Sequence, residues 1–342
     1  MNDGSPLVCI CIPTYNAEKM IRETVASIVN QRYSNLIILV VDNASTDGTL
    51  AVVETFSDPR INIYRNELNV GAEGNFSRCI LLARGKYTAI YHADDVYEPQ
   101  MVERQVAFLE ANPDAGAVFT EASLIDDNGK IIGNLGLPQK LVAACHLYDF
   151  KTIFKSVLQY SNFLISPSAM ARTEVYQQDI KSWQGEAFKT SADLDVWFRI
   201  LQHHAIGVLS ERLIRYRISL NQYSANLRAR TVRSDFFRVM DHYLAQENVQ
   251  ALLSPQDWLH YARLERTDRI VRAVNLYLLG YEQDARALCE DMPSVGALRA
   301  AISDRRGLIT LVAGTSLRIF IFLHFSVIGK PLFSRMKRLA GK

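Results

Sequence analysis

The chain has 342 residues, 49% hydrophobic and 22% charged, a balance that suits a folded protein with a sizeable core and excludes a disordered chain. Its 38 basic and 36 acidic residues leave a formal charge of +2, which excludes wholesale electrostatic binding to nucleic acid. The length exceeds the usual size of one compact domain, so one large domain and an accessory region are expected.

The opening "MNDGSP" is polar and carries no signal-peptide pattern. It runs into "PLVCICIPTYN", an apolar run rich in Val and Ile that predicts a buried first strand followed by a loop. From Ala17 to Gln31, the residues Met20, Ile21, Val25, Ile28 and Val29 recur at helical spacing. "NLIILVVDN" predicts the next strand and "DGTLAVVETFS" the next helix. "RINIYRN" then reads as a third strand, "GAEGNFSRCILLA" as a helix and "KYTAIYHADD" as a fourth strand ending in Asp94 and Asp95. This alternation predicts an α/β fold with an open, mostly parallel sheet and helices on both faces. Ligands in such sheets bind beyond the carboxyl ends of the strands, where Asn16, Asp42, Asn43, Asn69, Asp94 and Asp95 all fall.

"EPQMVERQVAFLEANP" follows as an amphipathic helix and "AGAVFTEASLIDDNGK" as a strand and a turn. Residues 131 to 170 resist assignment, apart from a helix in "YDFKTIFKSVLQY". A further helix is expected in "SADLDVWFRILQHH", with Leu194, Trp197, Ile200 and Leu201 as its apolar stripe. "IGVLSERLIRYRI" reads as one or two strands. Beyond about Asn226 the pattern turns helical, giving expected regions of 1–225 and 226–342. In "SPQDWLHYARLE", Ser254 is placed as an N-cap and Pro255 in the first turn. "VNLYLLGYEQDARALCED" reads as a helix, a Gly-centred turn and a second helix, like a single tetratricopeptide-type unit. The five cysteines, Cys9, Cys11, Cys79, Cys145 and Cys289, form no CxxC pair and read as reduced, mostly buried thiols of a cytosolic protein.

Adjacent carboxylates repel at close range unless a cation or a hydrogen-bond network lies between them. By themselves, Asp94 and Asp95 are compatible with a solvated turn or with a site for a hard divalent cation that binds through carboxylates and substrate phosphates.

Four segments bear on the choice: "IPTYNAEKMIRETVASIVNQ", "VVDNASTDGT", "NVGAEGNFSRCILLARGKYTAIYHADD" and "SADLDVWFRI". In order and spacing they resemble the family 2 glycosyltransferases, over roughly residues 6 to 225. The resemblance implies the Rossmann-like GT-A fold and inverting transfer of a sugar from a nucleotide diphosphate. It implies that Asp94 and Asp95 hold Mg²⁺ or Mn²⁺, with Asp94 also contacting the nucleotide, and favours the metal reading. His92 stands where many relatives have a carboxylate. The loop Pro13, Thr14, Tyr15 and Asn16 is implied to lie under the nucleotide, with Tyr15 near the base. Asp42 and Asn43 match positions for base and ribose contacts, and Asn69 and Gly71 complete the expected nucleotide-binding set. Relatives often carry two aspartates where this chain has Asp42 and Asn43; an Asn carbonyl accepts the uracil or thymine N3 proton without charge assistance. The implied donor is a UDP or dTDP sugar, and the implied acceptor a glycan or a lipid-linked saccharide.

An inverting displacement needs a base for the acceptor's hydroxyl proton. The resemblance puts Asp193 in that role and Ala192 where Glu is usual. Asp195 is the alternative, expected as a polar residue on the exposed helix face. No Gln-x-x-Arg-Trp sequence of the processive relatives is present, which favours transfer of a single sugar.

"LITLVAGTSLRIFIFLHFSVI", Leu308 to Ile328, is about long enough to span a bilayer. Arg318 near its middle would cost roughly 2.5 to 3.5 kcal/mol on insertion scales, and cations flank both ends. An interfacial helix at an anionic membrane surface fits better than a span, with a buried core helix as the alternative. The expected location is therefore cytoplasmic, with a peripheral membrane contact. Two other functions compete. A nucleotidyltransferase would usually show a Gly-rich basic loop where this chain has "PTYNAEK", and a degenerate sugar-binding scaffold is encouraged by His92 and Ala192.

Overall fold

The computed structural model describes residues 4–142, 147–218, 229–303, 305–323 and 329–335. The chain divides into two compact units, Met1–Leu220 and Asn221–Lys342. Cys145 and the expected boundary near Asn226 lie outside the described residues.

The first unit begins with β1 (Val8–Thr14), α1 (Ile21–Val29), β2 (Leu36–Asp42), α2 (Thr49–Val53), β3 (Ile61–Arg65), α3 (Gly71–Leu82) and β4 (Tyr87–Ile90). It continues with β5 (Val96–Tyr97), α4 (Met101–Ala111), β6 (Ala115–Ile125), β7 (Ile131–Leu135), α5 (Gln139–Val142), β8 (Leu147–Tyr148) and α6 (Phe150–Tyr160). Then come β9 (Met170–Arg172), α7 (Thr173–Val175), α8 (Gly185–Phe188), α9 (Ala192–Leu201) and β10 (Ala205–Arg217).

Eight strands run in the order β3-β2-β1-β4-β9-β6-β10-β5, with β7 against β6 and β8 against β10. The β1/β2, β1/β4, β2/β3 and β6/β10 pairs are parallel. Only a sheet covered on both faces can bury continuous apolar strands such as "VCICIPT", whose residues are almost all buried. Parallel register aligns Thr14 with Asp42 and Asp42 with Arg65, so the carboxyl ends of three strands finish level. The sheet, helices and register agree with the α/β expectation.

Local boundaries differ in informative ways. The first helix starts at Ile21, not Ala17, because the loop after β2 supplies other partners: Thr49 Oγ1 accepts from Ala17 N at 2.8 Å and Asp47 Oδ2 from Glu18 N at 3.2 Å. The fourth strand stops at Ile90, leaving His92 to Asp95 in a loop before β5. The short strand β9, antiparallel to both β4 and β6, begins at the last residue of the 131–170 stretch that resists assignment and runs two residues past it.

In the second unit the described residues form α10 (Phe236–Leu244), α11 (Glu247–Gln250), α12 (Pro255–Leu279), α13 (Glu282–Cys289), α14 (Val295–Ser303) and α15 (Arg305–Phe322). Ser254 and Asp257 close a capping box at the start of α12. Gly280 ends that helix at φ +95, a left-handed conformation that favours glycine. Ile270, Tyr277, Cys289, Met292, Leu317 and Phe333 belong to this unit's own core. Helix α15 covers most of the segment 308–328, of which 324–328 lie outside the described residues. Among the described residues no helix is long and apolar enough to cross a membrane.

Candidate active site

Three loops leave the carboxyl ends of β1, β2 and β4. The first two are tied together: Asn16 N donates to Ser45 Oγ at 3.0 Å, and Thr46 N donates to Asn16 Oδ1 at 2.8 Å. Asn16 and Ala44 adopt positive φ, +48 and +61, a strained choice for residues with a side chain that such cross-bonding can hold. Thr14 is buried at the base of this loop, beside partly buried Pro13, while Tyr15 is 49% exposed and Asn16 lies at the surface.

Asp42 is fully buried at the end of β2. Its Oδ2 accepts from Ser45 N at 3.0 Å and lies 3.5 Å from Arg65 Nε, whereas its Oδ1 is buried with no hydrogen-bond partner among the described residues. Asn43 is almost fully buried, and its side chain is spent on the chain itself. Oδ1 accepts from Asn66 Nδ2 at 3.1 Å and Val70 N at 2.9 Å; Nδ2 donates to Asn69 Oδ1 at 2.8 Å and Gly71 O at 3.0 Å. Asn69 Oδ1 also accepts from Gly71 N at 2.8 Å, and Asn66 donates onward to Asn75 Oδ1 at 3.0 Å. The turn needs φ +78 at Gly71, which a residue without Cβ adopts cheaply. Asn43 thus fixes the Asn69–Gly71 turn from within. Asn66 and Asn75, which complete this network, were legible only as the Asn-rich flanks of "NELNVGAEGN".

The loop from Tyr91 to Asp95 is held on all sides. Tyr91 stacks on Tyr97 at 4.0 Å between ring centroids, and the Thr24 hydroxyl of α1 reaches the carbonyls of Ala93 and Asp95 at 2.9 and 2.7 Å. Arg217, at the end of β10 and 1% exposed, clamps it from behind. Its N–H donates to Asp95 Oδ1 at 2.8 Å and its Nε to Asp94 O at 2.8 Å; its two terminal nitrogens donate to Asp126 O at 2.9 Å and Glu23 Oε2 at 2.6 Å. Arg217 is one of three arginines in β10, and nothing in the local sequence sets it apart from Arg212 and Arg215.

His92, Asp94 and Asp95 each offer a ligand atom, all within 4.8 Å of one another. Burial lowers the His92 imidazole pKa, and the charge on Asp94 works against that. Burial, then the charge on Asp94, raises the Asp95 carboxyl well above its ordinary value. Asp95 Oδ2 is buried with no hydrogen-bond partner among the described residues. A buried carboxylate oxygen left unsatisfied is costly. Two carboxylates and an imidazole around such an oxygen fit a divalent cation.

Asp193, in the first turn of α9, is partly exposed. Burial pushes its carboxyl up to about 6, against the opposing pull of backbone hydrogen bonds and of Ser166. Burial raises the phenol of the half-buried Tyr216 of β10, and the charges of Asp95, Asp94 and Asp193 raise it further, so all three carboxylates lie within electrostatic range of it. Asp195 corrects the expectation of an exposed position. It is 2% exposed and pairs with Arg199 Nε at 2.8 Å, and Arg199 donates on to Ile180 O and Ser182 O at 2.7 and 2.9 Å. The helix face opposite Asp193 is covered by the 180–182 segment, so Asp195 has an internal brace to serve.

Phe76 of α3 lies 5.5 Å from the His92 ring and 5.2 Å from the Trp183 ring. Trp183, Gln184, Glu186 and Glu73 line an open cavity of about 620 Å³ beside this aromatic file.

The family model for glycosyl transferase family 2 matches residues 9–177. An uncharacterized glycosyltransferase, MJ1057 of Methanocaldococcus jannaschii, is 32% identical over 218 residues, which are 62% of this chain and 71% of that protein. The Escherichia coli enzyme WfgD, a UDP-Glc:alpha-D-GlcNAc-diphosphoundecaprenol beta-1,3-glucosyltransferase, is 28% identical over 64% of this chain and 80% of its own. Among solved structures, S. aureus TarS 1–349 in complex with UDP-GlcNAc matches with a TM-score of 0.60 at 17% identity, over 93% of this chain and 92% of that one. That likeness speaks for the GT-A-like fold alone.

Proposed function

The chain belongs to glycosyl transferase family 2, and we propose that it is an inverting enzyme that moves one sugar from a nucleotide-diphosphate sugar to a hydroxyl of a glycan or lipid-linked acceptor. The observation that carries this reading is the His92, Asp94 and Asp95 cluster with its buried, unpartnered Asp95 Oδ2, which offers a cation site for the leaving diphosphate, with Asp193 on α9 assigned as the base for the attacking hydroxyl.

The catalytic region is taken as 1–225, with 226–342 as a helical accessory region. Asp42 Oδ1, buried and unpartnered among the described residues, suits a ribose hydroxyl or a base N–H. Pro13 to Asn16 and the Asn69–Gly71 turn frame the same side of the sheet. Asn43 contributes by holding that turn rather than by reaching the base, so uracil or thymine is read by other groups.

Asp94 and Asp95, with His92 beside them, would hold Mg²⁺ or Mn²⁺, which when bound supplies positive charge to the diphosphate as negative charge grows on its leaving oxygen. Asp193 accepts the acceptor's hydroxyl proton as that oxygen bonds to the anomeric carbon and the carbon–diphosphate bond breaks, inverting the centre. A carboxyl raised to about 6 is ionised at neutral pH yet basic enough to take that proton. The donor is assigned as a UDP or dTDP sugar. WfgD acts on a diphosphoundecaprenol-linked acceptor, which supports a role in cell-surface polysaccharide synthesis on the cytoplasmic side of a membrane.

The test is calorimetric titration of UDP, dTDP and GDP sugars with and without Mn²⁺, on the parent and on Asp94→Asn and Asp95→Asn. Asn retains an acceptor oxygen for the Arg217 N–H, so the fold survives. Mn²⁺-dependent binding of one donor that both substitutions weaken is expected; donor binding indifferent to Mn²⁺ and to both substitutions rejects the metal assignment. Hydrolysis or transfer of the bound donor separates an enzyme from a sugar-binding scaffold.

A further inference from the structure

Helix α15 is apolar on nearly every side, yet only one stripe of it is buried. Gly307, Thr310, Gly314, Leu317 and Ile321 face the bundle. A Cβ on Gly307 would meet Ala300 O at 2.1 Å, and one on Gly314 would meet Met292 and Ile270 side-chain atoms within 3 Å, so the small residues serve close packing inside this unit. Arg318, itself exposed, donates to Met292 O at 2.5 Å. What remains outside is a second stripe, Leu308, Val312, Ile319 and Phe322, the last 72% exposed. Helix α14, packed alongside, adds Val295 and Ile302, which are 67% and 88% exposed. Exposed apolar stripes of this kind mark contact surfaces.

Charge identifies the contact. From Met292 to Lys342 the sequence holds nine Lys or Arg and one acidic residue, Asp304, in a chain whose total formal charge is only +2. Arg305 and Arg306 lie exposed at the start of α15, next to the apolar stripe. A second copy would set like charge against like, and no described helix is long and apolar enough to cross a membrane. We propose that the exposed face of α14 and α15 docks in the plane of an anionic lipid bilayer, with Leu308, Val312, Ile319 and Phe322 in the acyl boundary and Arg305 and Arg306 among the headgroups. The inference rests on the helical unit alone and stands whether or not the donor assignment is right.

Sedimentation of the full chain with phosphatidylcholine vesicles, and with vesicles of equal parts phosphatidylglycerol and phosphatidylcholine, tests it without any sugar donor. Binding to the anionic vesicles only, falling as salt is raised, is expected. Arg305→Gln with Arg306→Gln should weaken it about 25-fold, at roughly fivefold per cation near the surface. Val312→Asn with Phe322→Asn, exposed positions whose change spares the core, should weaken it at least as much. Equal binding to both vesicle types, no binding, or unchanged binding in the arginine variant overturns the proposal. So does a concentration-dependent dimer that the Val312→Asn, Phe322→Asn protein loses, which would make the face an interface between copies.

Discussion

Arg217 N–H donates to Asp95 Oδ1 at 2.8 Å across 122 residues of sequence, so β10, set between β6 and β5, also fixes the acidic loop. The same residue's guanidinium holds the carbonyls of Asp94 and Asp126 and pairs with Glu23. A buried cation with this many partners sets geometry as much as stability.

Arg217→Met should therefore destabilise the protein by about 3 kcal/mol, because the carbonyls of Asp94 and Asp126 lose their donor in a buried place. Metal-dependent donor binding should weaken as well, since the Asp94 carbonyl loses the donor that steadies its loop, while the backbone N–H to Asp95 Oδ1 remains. Arg217→Lys restores a charge but not the fork of donors, and should recover only part of either property. Urea unfolding and calorimetry on the two variants check this; an Arg217→Met protein of parental stability would show that the clamp is not holding the loop.

Asn43 offers a sharper test of a single hydrogen-bond pattern. Its Nδ2 faces two acceptors, Asn69 Oδ1 and Gly71 O. Asn43→Asp, which would bring the chain closer to many relatives, turns that donor into an acceptor and sets a charge against both. A loss of roughly 1 to 3 kcal/mol is expected, the cost of an unmade buried hydrogen bond. Nucleotide affinity should fall too, through the loosened Asn69–Gly71 turn. Equal unfolding midpoints and slopes for the two proteins would show that the network rearranges freely.

How these positions look in the sequence explains what could be read there. The first two strands of the parallel half are continuous apolar runs closed by Thr14 and Asp42, and period and punctuation suffice for those; the fourth, read through to Asp95, stops at Ile90. The acidic pair is visible because charge at the end of an apolar strand is rare. Arg217 acts on the same loop from far along the chain, and its role depends on β10 lying beside β6 and β5, a pairing no local pattern encodes. Asp195 misleads for a related reason. Helical spacing puts it off the apolar stripe, but the 180–182 backbone folds over that side and makes a buried ion pair favourable. The helix at 308–322 reads as uniformly apolar, and only the close approach at Gly307 and Gly314 decides which stripe is covered.

Asp193→Asn tests the proposed chemistry most directly, since it keeps the shape and removes the basicity. Turnover should fall by about 10² to 10⁴-fold, the usual contribution of a general base, while donor affinity barely moves. In the parent, activity should rise with pH through about 6, where this carboxyl ionises; the residual activity of the variant should lack that limb. Stability carries the opposite sign. The folded value near 6 exceeds the ordinary 3.8, so the folded state binds this proton more tightly than the unfolded one. The stability this contributes is complete below about pH 4 and is lost as pH rises through about 6. Asp193→Asn should escape that loss and melt higher than the parent at pH 8, while the two converge near pH 4. A variant that is both inactive and less stable at pH 8, with weakened donor binding, would make Asp193 a structural or nucleotide contact instead of the base.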